Sequence, residues 1–390
     1  MEAVSTPEPA RPRRPHRALE QSTKLQNVLY EIRGPVHAHA ARLEAEGHRI
    51  LKLNIGNPAP FGFEAPDVIM RDMIAALPYA QGYSESKGIL SARRAIVTRY
   101  ELVPGFPELD VDDIYLGNGV SELITMTMQA LLDDGDEVLI PAPDYPLWTA
   151  MTSLSGGTPV HYLCDEQNDW NPDIADIESK ITDKTKALLV INPNNPTGRT
   201  IAAQQLRELA GELAQRGGLL VVDEAFADFE GAGSSLVPQL PGAAAVVLRS
   251  FGKTYGLAGM RLGFAITSDE ALCQRLRAEI GPWAVPAPAI AIGTAALRDS
   301  TWLSAASADL ASDCARLDTL LQNTGFEIIG GTHLFRLARH ARARAIADKL
   351  GRAGILARSF PAKAEWLRFG LPGSEAEWQR LASALAETKG

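Results

Sequence analysis

Ser250-Phe251-Gly252-Lys253-Thr254-Tyr255-Gly256-Leu257-Ala258-Gly259-Met260-Arg261-Leu262-Gly263 follows an apolar run at 245–248 that reads as a buried strand. Its glycines punctuate a turn that carries one lysine, with Ser250 three residues before it and Arg261 eight residues after it. A lysine on a tight, partly dry loop can lose its proton and attack an aldehyde to form a Schiff base. A hydroxyl donor and a planar, permanently charged fork are what a phosphate needs. Together these residues point to pyridoxal phosphate. A glycine-rich β-hairpin carrying solvated charges is the plainer reading of the same residues.

Outward from this stretch, other segments supply the missing parts. Such a cofactor needs an acid opposite its ring nitrogen, because the charged pyridinium is the electron sink. The run at 219–222 ends in Asp223-Glu224-Ala225-Phe226, which places Asp223 at a strand's carboxyl end, where a helix cap is the alternative. Asn192-Pro193-Asn194-Asn195-Pro196-Thr197-Gly198 follows the apolar run 187–191, and its prolines could aim Asn195 at a ligand oxygen. Gly117-Asn118-Gly119-Val120-Ser121-Glu122 precedes an apolar helix expected at 123–132, whose start leaves N–H groups that suit a phosphate. Ser121 could equally be an N-cap. Tyr145, in Pro143-Asp144-Tyr145-Pro146-Leu147-Trp148, is a candidate to stack on the cofactor ring or, alternatively, a core aromatic.

In this order the motifs resemble the fold-type I, class I/II pyridoxal-phosphate aminotransferases, from about Lys24 to the end of the chain. The resemblance implies an α/β architecture: a large cofactor-binding domain with a mostly parallel mixed sheet and a smaller α/β domain. It makes Lys253 the Schiff-base lysine, Asp223 the partner of the pyridine nitrogen and Asn195 the donor to the phenolic oxygen, close to the substrate. Ser250, Arg261 and the Val120-Ser121 turn become the phosphate cup. Arg368, in Trp366-Leu367-Arg368-Phe369-Gly370, becomes the grip on the substrate α-carboxylate, and Gly56 a backbone contact to the amino acid. Tyr83 is implied to reach the cofactor phosphate of a neighbouring subunit, hence a C2 homodimer with shared active sites. One departure is visible: the family usually has tyrosine where this chain has Phe226. Loss of that hydroxyl is expected to raise the imine pKa.

From Leu29-Tyr30-Glu31-Ile32-Arg33-Gly34-Pro35 through Asn57-Pro58-Ala59-Pro60-Phe61-Gly62-Phe63 to Thr197-Gly198, the chain is similar to alanine–glutamate transaminases. After Arg199, the segments around Asp223, Lys253, Gly281-Pro282-Trp283-Ala284-Val285 and Arg368 resemble threonine-phosphate decarboxylases of cobalamin synthesis, which also carry phenylalanine at the Phe226 position. A recombination joint or a chimera would give this pattern, and so would ordinary divergence.

At 390 residues the chain is long enough for two domains. Residues 1–23 read as a Pro- and Arg-rich disordered tail without the apolar core of a signal peptide. Residues 24–64 read as an N-terminal arm and part of the small domain, 65–285 as the large domain, and 286–390 as the C-terminal small domain. Strands are expected at 114–116, 137–140, 159–163, 188–191, 219–222, 246–249 and 262–266. In the small domain they are expected at 326–329, 334–337, 355–357 and 367–369, with helices at 302–322 and 375–386. A net charge of −9 argues against general nucleic-acid binding. No apolar run reaches the roughly 18 residues that a membrane helix needs. Cys164, Cys273 and Cys314 form no metal pattern and fit a reducing cytoplasm.

Three functions are open at this level. The first is transamination between a small, alanine-like L-amino acid and a 2-oxo acid. The second is decarboxylation of O-phospho-L-threonine, for which Arg336, Arg339 and Arg358 are candidate phosphate anchors. The third is a non-catalytic ligand sensor or an inactive chimera; the tail is too short and Pro-rich for a helix-turn-helix.

Overall fold

A computed structural model describes residues 20–25, 28, 34–56, 66–83, 85–103, 109–168, 170–230, 232–279 and 285–389. The expected tail up to residue 19, the segment around Asn57-Pro58 and the stretch from Gly281 to Ala284 lie outside the described residues.

Strands in chain order are β1 (Leu51–Lys52), β2 (Ile114–Gly117), β3 (Glu137–Ala142), β4 (Thr158–Asp165), β5 (Asn171–Pro172), β6 (Thr185–Ile191) and β7 (Leu219–Asp223). They continue with β8 (Ala245–Ser250), β9 (Gly263–Ile266), β10 (Glu327–Thr332), β11 (Phe335–Arg339), β12 (Ile355–Leu356), β13 (Arg358–Ser359) and β14 (Trp366–Gly370). An eight-stranded sheet runs β2-β9-β8-β7-β6-β3-β4-β5. Its centre, from β4 through β3, β6 and β7 to β8, is parallel, whereas β9 and the edge strand β5 are antiparallel to their neighbours.

The central strands are near-continuous apolar runs because helices cover both faces. In β7 every residue is buried. The strand period of two sends Leu220 and Val222 into one core layer and Leu219 and Val221 into the other. Parallel register aligns the carboxyl ends, with Ile191 opposite Asp223 and Asp223 opposite Leu248. The loops after β6, β7 and β8, which carry most of the candidate residues, therefore emerge side by side. This is the edge at which open α/β sheets bind ligands.

A four-stranded antiparallel sheet, β10-β11-β14-β13, forms the second layer system. Leu310, Leu317 and Leu321 of the helix Ser300–Asn323 and Leu381 and Leu385 of the helix Glu375–Ala386 join its core. A reciprocal capping box between Ser374 and Glu377 starts the latter helix where the sequence places it. The two-stranded sheet β1–β12 pairs Leu51 with Ile355 and so ties the early chain to the small sheet. Beyond β1, Leu53 O accepts from Gly370 N at 2.7 Å, which carries residues 53–56 past β14 toward the large sheet.

Main chain meets main chain where the two sheets approach. Gly198 has φ +74°, and a Cβ there would collide with the backbone of Gly331; one at Gly330 would collide with Thr197 O. Arg199 Nη2 donates to Ile329 O at 3.0 Å across the same boundary.

Candidate active site

Lys253 stands on a one-turn helix, Phe251–Thr254, within the tight glycine-punctuated turn that the sequence suggests. Ser250 caps that turn by accepting from Gly252 N at 3.1 Å, so its own O–H proton stays available to a ligand. Lys253 Nζ donates to Gly56 O at 2.9 Å and lies 5.3 Å from the centre of the Phe226 ring. Removal from water, reinforced by Arg368, lowers its pKa to about 8; Asp223 opposes the shift, while Arg261 and Arg358 add to it.

Asp223 ends β7 and is buried. Trp148 Nε1 donates to its Oδ2 at 2.9 Å and Ala225 N to its Oδ1 at 3.1 Å. Burial pushes its pKa up, and these two bonds pull the other way. Trp148 was not a sequence-level candidate. The available signal was an indole N–H three residues beyond Tyr145, on a helix facing the core, where a buried donor needs an acceptor. Tyr145 is half-buried just before that helix. Burial and Asp223 raise its phenol pKa, against Arg358 and Arg261, which places all three charges within its electrostatic reach.

The helix Val120–Leu131 supplies the anion cradle. Its internal bonds begin with Glu122 N and Leu123 N on Gly119 O, leaving the N–H groups of Val120 and Ser121 outside that ladder. Gly119 has φ +80°, and a Cβ there would lie 2.6 Å from Arg261 Nη2, so the guanidinium rests directly over the helix start. Arg261 itself has φ +52° and donates from Nη1 to Ala258 O at 3.1 Å.

Arg368 and Arg358 converge on Asn195. Arg368 Nη1 donates to Asn195 Oδ1 at 2.6 Å and Nη2 to Asn54 O at 3.0 Å; Arg358 Nη1 reaches the same Oδ1 at 3.3 Å. Both Nε atoms are buried without a hydrogen-bond partner among the described residues. Burial lowers the pKa of each arginine, and Arg358 depresses that of Arg368 further. The other two candidate anchors are spoken for. Arg336 is bound to Asp318 at 2.8 and 3.0 Å, and Arg339 pairs with Glu166 and Glu327, so each of these candidates already has a carboxylate partner.

Gly56 reaches the site through its carbonyl, and the edge of Phe226 lies 3.4 Å from where a Cβ of Gly56 would be. Tyr83 is 81% exposed. Behind the site, Arg249 is held by Glu224 at 2.6 Å and by Asp228, whose second oxygen accepts from Thr254 Oγ1 at 2.7 Å. Sequence reading had not singled out this network.

Comparison with known proteins agrees with the geometry. The chain is 68% identical over 258 residues to the alanine aminotransferase of Mycobacterium tuberculosis, covering 65% of this chain and 60% of that protein. It is 41% identical over 220 residues to a threonine-phosphate decarboxylase of Sinorhizobium sp, covering 55% and 63% respectively. The chain thus spans less than two thirds of the length of these curated relatives. A crystal structure of an aminotransferase from Escherichia coli superposes with a TM-score of 0.82 at 36% identity, covering 96% of this chain and 98% of that one. The description "Aminotransferase class I and II" matches residues 48–385, and the chain belongs to that family.

Proposed function

We propose that this chain is an aminotransferase that moves the amino group of a small, alanine-like L-amino acid to a 2-oxo acid. The observation that carries the reading is Lys253, held on a carbonyl oxygen with its pKa lowered to about 8, beside buried Asp223 and two arginines whose hydrogen bonds go to neutral oxygens. Pyridoxal 5′-phosphate is the cofactor of the family, and the residues fit it. The N–H groups of Val120 and Ser121, with Ser250 and Arg261, suit its phosphate, Tyr145 its ring face, Asp223 its ring nitrogen, and Asn195 its phenolic oxygen. When bound, the cofactor supplies an electrophilic aldehyde and a ring that withdraws the electron pair left by a broken Cα–H bond.

The chain's own groups do the rest. Lys253 can hold or release a proton at Nζ near neutral pH. Asp223, kept from water by Trp148, offers a carboxylate to a cationic ring N–H. Arg368 offers a fork to a substrate carboxylate while Asn195 and Asn54 fix its plane. Phe226 fills the place of a hydroxyl donor without supplying one. Mixing the holoprotein with L-alanine should change its visible absorbance and release pyruvate; no change and no pyruvate would overturn the reading.

Arg358 favours a second reading. Beside Arg368 it could seat a second anionic group, and the similarity to a threonine-phosphate decarboxylase supports O-phospho-L-threonine as substrate. Carbon dioxide release from that compound, abolished in Arg358→Ala, would promote it. A joint between two lineages near Arg199 is part of this reading, from the change of motif likeness there; the two similarities, over 258 and 220 residues of the 390, overlap rather than meet at that point. For assembly, Tyr83 lies on a surface with exposed Ile74, Leu77 and Tyr79, which supports a homodimer in which Tyr83 serves the partner's phosphate site. Light scattering tests it: a monomer that holds stoichiometric cofactor would count against the shared site. The unpaired cysteines support a cytoplasmic setting, and no described helix is long and apolar enough to cross a membrane.

A further inference from the structure

We infer that Trp170 is a positioning residue for the arginine pair. By packing on Trp366 it holds β13 and β14, and with them Arg358 and Arg368, against the large sheet. The inference rests on the reading of these arginines as the carboxylate-binding site.

Trp366 and Arg368 are two residues apart on β14 and so share a face of the small sheet. Antiparallel register puts Arg358 opposite Arg368 on one side and Leu337 opposite it on the other. The β4–β5 hairpin, at the edge of the large sheet, reaches over this face. Trp170 on that hairpin has φ +62°, a conformation that costs a bulky residue energy and persists only where surrounding contacts impose it. Its N–H donates to Asp165 O at 2.7 Å.

The side chain on this backbone is held by aromatic contacts. The Trp170 and Trp366 rings meet edge to face with centroids 4.8 Å apart. Trp366 meets Phe360 in the same manner at 5.9 Å, and Phe360 carries the Arg358 guanidinium at 4.9 Å from its ring centre. Lys363 Nζ lies 5.4 Å from both indole centres and donates to Glu166 on the hairpin at 3.0 Å. Trp170 is 6% exposed and Trp366 2%, and with Leu337 they form an apolar cluster separate from the two main cores. Arg358 and Arg368 carry like charges and repel each other. β14 is an interior strand, but β13 is only two residues long at the sheet edge, so Arg358 could move away from Arg368 unless something outside the pair fixes it. The aromatic chain from Trp170 through Trp366 and Phe360 to Arg358 is that fixture.

The test uses the holoprotein and maleate, an unreactive dicarboxylate, with binding measured by calorimetry and cofactor content by absorbance. Trp170→Ala should weaken maleate binding about tenfold, the scale on which small misplacements of binding groups act, at unchanged cofactor content. Trp170→Phe should stay within about twofold, because a second ring keeps the edge-to-face contact. Lys363→Ala removes only a surface cation and does not threaten folding; it should cost about threefold by loosening both indoles. If wild-type protein ignores maleate, the carboxylate reading falls and the inference with it. If wild type binds and Trp170→Ala or Lys363→Ala binds equally well, the inference alone falls. Loss of cofactor in parallel with maleate affinity would likewise overturn it, because that is the mark of general destabilisation.

Discussion

Arg249 and the pair Arg358 and Arg368 are cations withdrawn from water in one protein, and their surroundings treat them in opposite ways. Burial pushes the Arg249 pKa down, but Asp228, Tyr100 and Glu224 outweigh it and hold the group well above its usual value. Around Arg358 and Arg368 the strongest acceptors are an amide oxygen and a main-chain carbonyl, and both pKa values fall. Among the described residues each of the three leaves Nε without a hydrogen-bond partner, so the contrast lies in the carboxylates. A buried cation with its counter-charge in place belongs to the scaffold. One held mainly by neutral oxygens keeps most of its charge uncompensated, which is what the proposed role as an anion site requires.

The largest test of this contrast is Arg249→Met. It strands the buried Glu224 and the half-buried Asp228 without their cation and should cost about 3–5 kcal/mol of stability in urea unfolding. Arg368→Met should leave the apoprotein within about 1 kcal/mol of wild type, because losing a buried cation offsets the lost bonds to Asn195 Oδ1, which keeps Arg358, and to Asn54 O. The same substitution should lower kcat/KM for the amino acid about 100-fold. Equal destabilisation by the two variants would erase the distinction.

Lys253 sharpens it through pH. Its folded pKa, about 8, lies below the ordinary 10.5, so the folded state binds fewer protons between those values. The charged lysine therefore costs stability below about pH 8, and apoprotein stability should rise as pH climbs from about 8 to 10.5. Lys253→Met should abolish that rise in urea unfolding at pH 7 and pH 9. Arg368→Met removes a neighbouring like charge, so the pH midpoint for cofactor uptake by the apoprotein should move upward from about 8. The smallest effect is expected of Phe226→Tyr. A hydroxyl beside Lys253 should lower the pH midpoint of the holoprotein's visible absorbance by about one unit or less.

The sequence made strand ends and their residues legible because the parallel core is written locally. Leu219 to Val222 is apolar throughout and the next residue is an acid, which places Asp223 without knowledge of any neighbour. The same holds for Lys253, Asn195 and the Val120-Ser121 turn. Contacts between distant segments carried no local signal. Nothing around Arg336, Arg339 and Arg358 distinguishes them as a sequence; Asp318, Glu166 and Glu327 do so in space. Trp148 and Trp170 were invisible as partners of Asp223 and Trp366 for the same reason. Lys253 belongs on a turn of helix because Ser250 caps it, a short-range device that the flanking glycines masked.

Where Gly198 and Gly331 touch, the two sheets meet chiefly through peptide groups, with Arg199 Nη2 on Ile329 O as the side-chain addition. Such a seam makes few demands on side chains. Substitutions that spare these glycines and Arg199 leave its contacts in place. An exchange of gene segments next to Arg199 would inherit a working junction without having to evolve one.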